Sequence, residues 1–119
     1  MTDIELLELA AKAAGLNLAE YREERNSMYF PFPSELTDGH WWNPLTDDGD
    51  ALRLAVSLGL CVMFDRDSVQ VSYSDGGEYC KAFALEPINS SEQATRRAIA
   101  RAASETTFLA TPSQTQTRY

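Results

Sequence analysis

Apolar residues recur at three- and four-residue spacing in three stretches of the chain. A block with the shorter period of strands lies between the second and third. Thr2 and Glu5 form a capping-box pair ahead of Ile4, Leu7, Ala11 and Ala14, and Gly15 stands where a left-handed C-terminal cap belongs, with Leu16 placed to fold back on the last turn. This predicts a first helix ending at Gly15. A second helix is predicted after Asn43-Pro44-Leu45-Thr46-Asp47-Asp48-Gly49-Asp50, capped by Thr46 or Asp47. Its stripe is Ala51, Leu54, Ala55 and Leu58, widened by Leu52 and Val56 and stopped by Gly59. Ser90 and Gln93 open a third helix, apolar at Ala94, Ala98, Ile99 and Ala102 and running to about Ser104; its alanine face suits close packing on a sheet.

Between the second and third helices, Leu60–Phe64 is a continuous apolar run, 68–73 alternates, and 79–85 follows a Gly-Gly turn, which predicts an antiparallel meander. Earlier, Met28–Pro33 has strand character, limited to a sheet edge by Pro31, and His40-Trp41-Trp42 is its expected hairpin partner across Thr37-Asp38-Gly39. Residues 17–26 are charged and lack a clear period, so a solvated connector or short frayed helix is expected there. The Thr/Gln-rich segment 106–119 is expected to be a flexible tail. The fold class expected is therefore α+β: an antiparallel sheet of three to five strands packed with three helices as a helix/sheet/helix sandwich, in one domain over 1–105.

Charge changes the picture of partners. The 119 residues carry a net charge of -8, and all of it lies in residues 1–50, which hold eleven acids and three bases. Such a chain repels a phosphate backbone and gains nothing from counterion release, so direct nucleic-acid binding is not expected. No apolar run approaches the length of a membrane helix, and the first residues lack the basic and apolar regions of a secretory leader, so a cytoplasmic address is expected. Self-association is left open.

Candidate chemistry is sparse. Cys61 and Cys80 fall in strand-like apolar stretches and are expected to be buried, reduced thiols. His40 with the acids 47–50 could gather a cation in a small metal-dependent enzyme, yet helix capping already accounts for acids at those positions, and no metal site, catalytic residue or cofactor is assigned. Arg96, Arg97 and Arg101 offer an alternative anion- or nucleotide-binding cluster. The densest aromatic group is Tyr29, Phe30, Phe32, Trp41 and Trp42, five of the twelve aromatics, which serves either a core or an interface. The interface expected from this group combines Tyr29 and Trp41 as anchors with Glu20, Glu23, Glu24, Glu35 and Asp38 as an acidic rim, directed at a basic protein.

The Trp42–Val56 block, with the helix at Glu5–Gly15 before it and Ala94–Ala103 after it, resembles the phage ABA sandwich domain family over about residues 2–105. The resemblance implies a layered helix/sheet/helix domain in a small protein of tailed phages or prophages. It carries no catalytic residues. By analogy with small acidic phage proteins, the expected role is that of a non-enzymatic accessory protein that binds a host or phage protein, as an anti-CRISPR or anti-restriction inhibitor of host defence does.

Overall fold

In the computed structural model, residues 2–16, 19–37, 39–64, 66, 68–74, 80–87 and 91–109 are described; within them the side chains of 73, 74, 80–87, 91 and 107–109 are not. The fold is α+β, with three helices and two three-stranded antiparallel sheets among the described residues. Helix α1 spans Asp3–Ala13, and the capping box forms as the sequence predicts: Thr2 Oγ1 accepts from the Glu5 amide and the Glu5 carboxylate accepts from the Thr2 amide. The bond from the Thr2 amide, helped by the Thr2 side chain, favours the charged carboxylate and holds the Glu5 pKa below its ordinary value. At the other end Gly15 takes φ +76 and the Leu16 amide reaches back to the Ala11 carbonyl, the six-to-one bond of a Schellman cap. The buried face is Leu6, Leu7, Ala10 and Ala11, whereas Ile4 is exposed.

The first sheet comprises β1 (Glu20–Arg22), β2 (Ser27–Tyr29) and β3 (Trp41–Trp42) in that order. Contrary to the expectation of a solvated connector or frayed helix, residues 20–22 pair with β2, Tyr21 opposite Met28. The expected hairpin between β2 and β3 is present, with Met28 opposite Trp42, but β2 stops at Tyr29 and leaves the prolines outside it. Alternation turns Met28 and Trp42 inward, where Phe30 meets Trp42 edge-on at 5.9 Å between ring centroids.

Helix α2 (Asp48–Leu58) is capped by Asp47, whose side chain accepts from the Asp50 amide. Gly59 ends it at φ +65. A Cβ there would meet nothing within 4 Å, so Gly59→Ala is expected to act by backbone strain alone and to cost about 1 kcal/mol. A lowered urea midpoint with an unchanged slope checks this. Leu52 and Val56 do not widen the buried stripe; both are exposed, because only the Asp50, Ala51, Leu54 and Ala55 side of the helix meets the core.

The meander forms as β4 (Leu60–Phe64), β5 (Ser68–Ser74) and β6 (Cys80–Pro87). Val69 and Val71 are fully buried, and α3 (Ser91–Leu109) packs over β5 and β6 with α1 and α2 against it. Its alanines 94, 98, 100, 102 and 103 are buried, the small face that lets one helix contact both a sheet and two other helices. Met28, Phe30 and Trp42 of the first sheet region, Leu7 of α1, Leu54 of α2 and Ile99 of α3 belong to one continuous core.

Two expectations are corrected here. Helix α3 continues to Leu109, so 106–109 are helical and not tail; 110–119 lie outside the described residues. Buried Ser104 and Thr106 tolerate the helix interior because their hydroxyls donate to the Arg101 and Ala103 carbonyls three residues back. Cys61 is exposed, since β4 is an edge strand whose apolar run has cover on one face only; the Cys80 side chain lies outside the described residues.

Candidate functional site

Register brings three of the seven residues of the expected interface into one row. Glu20 pairs with Tyr29, and Tyr29 with Trp41, so the three side chains form one row across β1, β2 and β3 on the face opposite the core. Tyr29 and Trp41 are half-buried and meet edge-to-face at 5.2 Å. His40 stacks on Tyr29 at 5.3 Å and is held there by a 2.7 Å bond from Nδ1 to the Phe30 carbonyl, which requires the hydrogen on Nδ1. Glu23 and Glu24 are exposed in the turn joining β1 to β2. Glu35 is exposed in the connection from β2 to β3, and Asp38 lies outside the described residues.

Two residues that sequence reasoning missed complete this face. The Arg22 guanidinium lies over the Tyr29 ring at 4.8 Å and that of Arg25 over Trp41 at 4.3 Å. Arg22 also pairs with Glu20 at 3.0 Å. The aromatic row is therefore covered by arginine and rimmed by glutamate, where a purely acidic rim was expected. The signal was faint: Glu20 and Arg22 are two apart, and only the pairing of Arg22 with Ser27 and of Glu20 with Tyr29 places both beside an aromatic ring.

The alternative clusters are engaged in structural contacts. Arg96 donates from Nε to the Leu45 carbonyl and from Nη1 to Asp48, which ties α3 to the start of α2. Arg97 pairs with Asp3 at 2.9 Å and ties α3 to the start of α1. Arg101 is exposed and also has an interaction partner. The acids of 47–50 have equally definite partners: Asp47 caps α2, Asp48 holds Arg96, and Asp50 accepts from the Asn43 amide at 2.8 Å and from Arg53. His40 is on the outer face of the first sheet, and among the described residues no three of the His, Cys, Asp and Glu side chains group as a metal site.

The Asn43–Asp50 block thus has a structural account. Asn43 Nδ2 donates to the Asn26 carbonyl and Asn43 Oδ1 accepts from the Leu45 amide, while its own amide is fixed by buried Asp50. One asparagine joins the β1–β2 turn to the N-terminus of α2. A Cβ at Gly49 would lie 3.2 to 3.3 Å from Asp47 Oδ2 and the Arg53 guanidinium, so those side-chain ends would have to give by a few tenths of an ångström. Comparison with family models, with curated proteins and with solved structures returns no match. Among the described residues, no helix is long and apolar enough to cross a membrane.

Proposed function

We propose that this chain is a non-enzymatic binding protein whose contact face is the outer side of the first sheet. The carrying observation is the Glu20–Tyr29–Trp41 row with Arg22 and Arg25 laid over its rings: aromatic and arginine anchors at the centre of a charged rim are the composition of interface hot spots. The partner is a basic protein, supported by exposed Glu23, Glu24 and Glu35 at the rim and by the concentration of the whole net charge of -8 in residues 1–50. The resemblance to phage ABA sandwich domains supports placing it as a phage or prophage accessory protein in the host cytoplasm, with an anti-CRISPR or anti-restriction inhibitor as the class of activity.

The test is binding to purified candidate partners, basic nucleases and defence proteins among them. Trp41→Ala is expected to weaken the complex at least tenfold, about 1.4 kcal/mol, with the far-ultraviolet circular dichroism unchanged. Charge reversal at Glu23 and Glu24 slows association, and high salt slows the unsubstituted chain in the same way as the Debye length falls to about 3 Å at 1 M. Binding insensitive to both changes would remove this face from consideration.

A further inference from the structure

Four of the six exposed large apolar side chains of the described residues belong to one short stretch: Leu52 and Val56 on α2, and Met63 and Phe64 on β4, at 64%, 73%, 56% and 63% exposure. The two elements are consecutive and in contact. Among the described residues strand β4 pairs with β5 on one side only, so its other edge is a rim of the second sheet. Natural sheets protect such an edge with lysine, proline, a bulge or an inward charge. Leu-Cys-Val-Met-Phe has no lysine, proline or charged residue, and it pairs with β5 in unbroken register from Leu60 to Phe64.

We infer that the β4 edge is the interface of a two-fold homodimer, in which two copies of β4 pair antiparallel about Val62 and join their meanders into one six-stranded sheet. The strand is self-complementary about that residue. Val62 faces its own copy, Cys61 pairs with Met63 across the axis, and Leu60 pairs with Phe64. The last pairing explains the exposure of Phe64, which alternation puts on the core face with Leu60 and Val62, yet which stays 63% exposed. In the dimer it extends the core face of the second copy beside half-buried Leu60. Met63 and Cys61 meet on the open face.

Charge selects the same surface. Two copies of a chain with net charge -8 repel, but residues 51–64 contain a single charged residue, Arg53, so they can meet there without opposing acids. Area fits a weak dimer. Met63 and Phe64, on the strand itself, expose roughly 100 Å² each and give about 400 Å² for the pair, and Leu52 and Val56 on the contacting α2 add at most about as much again. Cys61 and the strand backbone bring the total near the ~1,000 Å² at which specific interfaces begin.

Sedimentation velocity of the full chain from about 1 to 200 µM, the affinity range expected of an interface this small, is the test. The unsubstituted chain is expected to show concentration-dependent dimer, and Met63→Lys and Phe64→Lys each to raise the dimer dissociation constant more than tenfold. Should Phe64→Lys not fold, Met63→Lys decides, because its side chain is on the open face and supports nothing within one copy. Register is read by Met63→Cys combined with Cys80→Ser: the thiol introduced at position 63 of one copy comes within disulfide reach of Cys61 of the other, so mild oxidation gives covalent dimer. The same background with Met63 retained does not crosslink. A chain that stays monomeric at the highest concentration, a dimer indifferent to both lysines, or equal crosslinking through Cys61 alone would overturn the proposal. So would a monomer that takes up a foreign strand-forming peptide at this edge, which would make it a docking site for another chain.

Discussion

Trp42→Ala is expected to lower the stability of the folded chain by about 3 to 5 kcal/mol, a large fraction of the roughly 5 to 15 kcal/mol that holds a domain folded. Trp42 is 1% exposed and is the largest fully buried side chain. It stands at the junction where β3 meets β2 through Met28, and its ring meets Phe30 edge-on. Truncation leaves a cavity at the seam between the first sheet and the helices, and β3, only two residues long, has little else to hold it. The indole Nε1–H is buried and has no hydrogen-bond partner among the described residues, an arrangement that costs about 1 to 3 kcal/mol. Trp42→Phe removes that orphaned donor while keeping a ring against Phe30, so its loss should be much the smaller of the two. Urea unfolding of the three proteins, followed by circular dichroism, checks the order. A Phe variant as damaged as the Ala variant would show that the indole volume, and not the orphaned donor, dominates.

Helices α1 and α2 were legible because their ends are written in local chemistry. The Thr2–Glu5 box, the Asp47 cap and the left-handed Gly15 and Gly59 each act within a turn of their own position. What could not be read was which face of an apolar element remains uncovered. Leu52 and Val56 fit the periodic stripe of α2, and Cys61 and Met63 fit a buried strand; only the position of β4 at the sheet edge, with α2 turned toward α3, leaves all four exposed. Strand β1 escaped detection because its three residues, Glu20-Tyr21-Arg22, offer one apolar position, and its pairing depends on Asn26 adopting φ +48 in the turn that follows. The Tyr21 hydroxyl donates to Asn26 Oδ1 at 2.6 Å and braces that turn, a contact without any periodic signature.

The residues of the proposed contact face show the same division. Tyr29 and Trp41 were recognisable from composition, and Glu20, Glu23 and Glu24 from charge. The arginines over the rings depend on cross-strand register and on the turn, so a sequence count that balanced acids against bases assigned them to neither anchor nor rim.

Asp50→Ala is expected to cost about 2 to 4 kcal/mol, since it strips the buried Asn43 amide of its acceptor and leaves Arg53 without its closest partner. Asp50 itself is 3% exposed. Burial raises its pKa above 3.8, and the opposing pull of the Asn43 amide and of Arg53 does not cancel that desolvation. The sign of the pH dependence follows. A carboxyl whose pKa is higher in the folded chain holds its proton more tightly there, so between 3.8 and the folded value the native state binds more protons and stability falls as pH rises. Above the folded value this contribution is flat. Asp50→Asn keeps an oxygen for the Asn43 amide but cannot ionise, so it should gain on the unsubstituted chain as pH is raised upward from 3.8. Urea midpoints of the pair, measured at intervals from about pH 3.5 to about 7, give that difference directly. A gap that moves the other way, toward the unsubstituted chain, would mean that Arg53 and the Asn43 amide outweigh burial and that the ionised carboxylate stabilises the joint between the first sheet and α2.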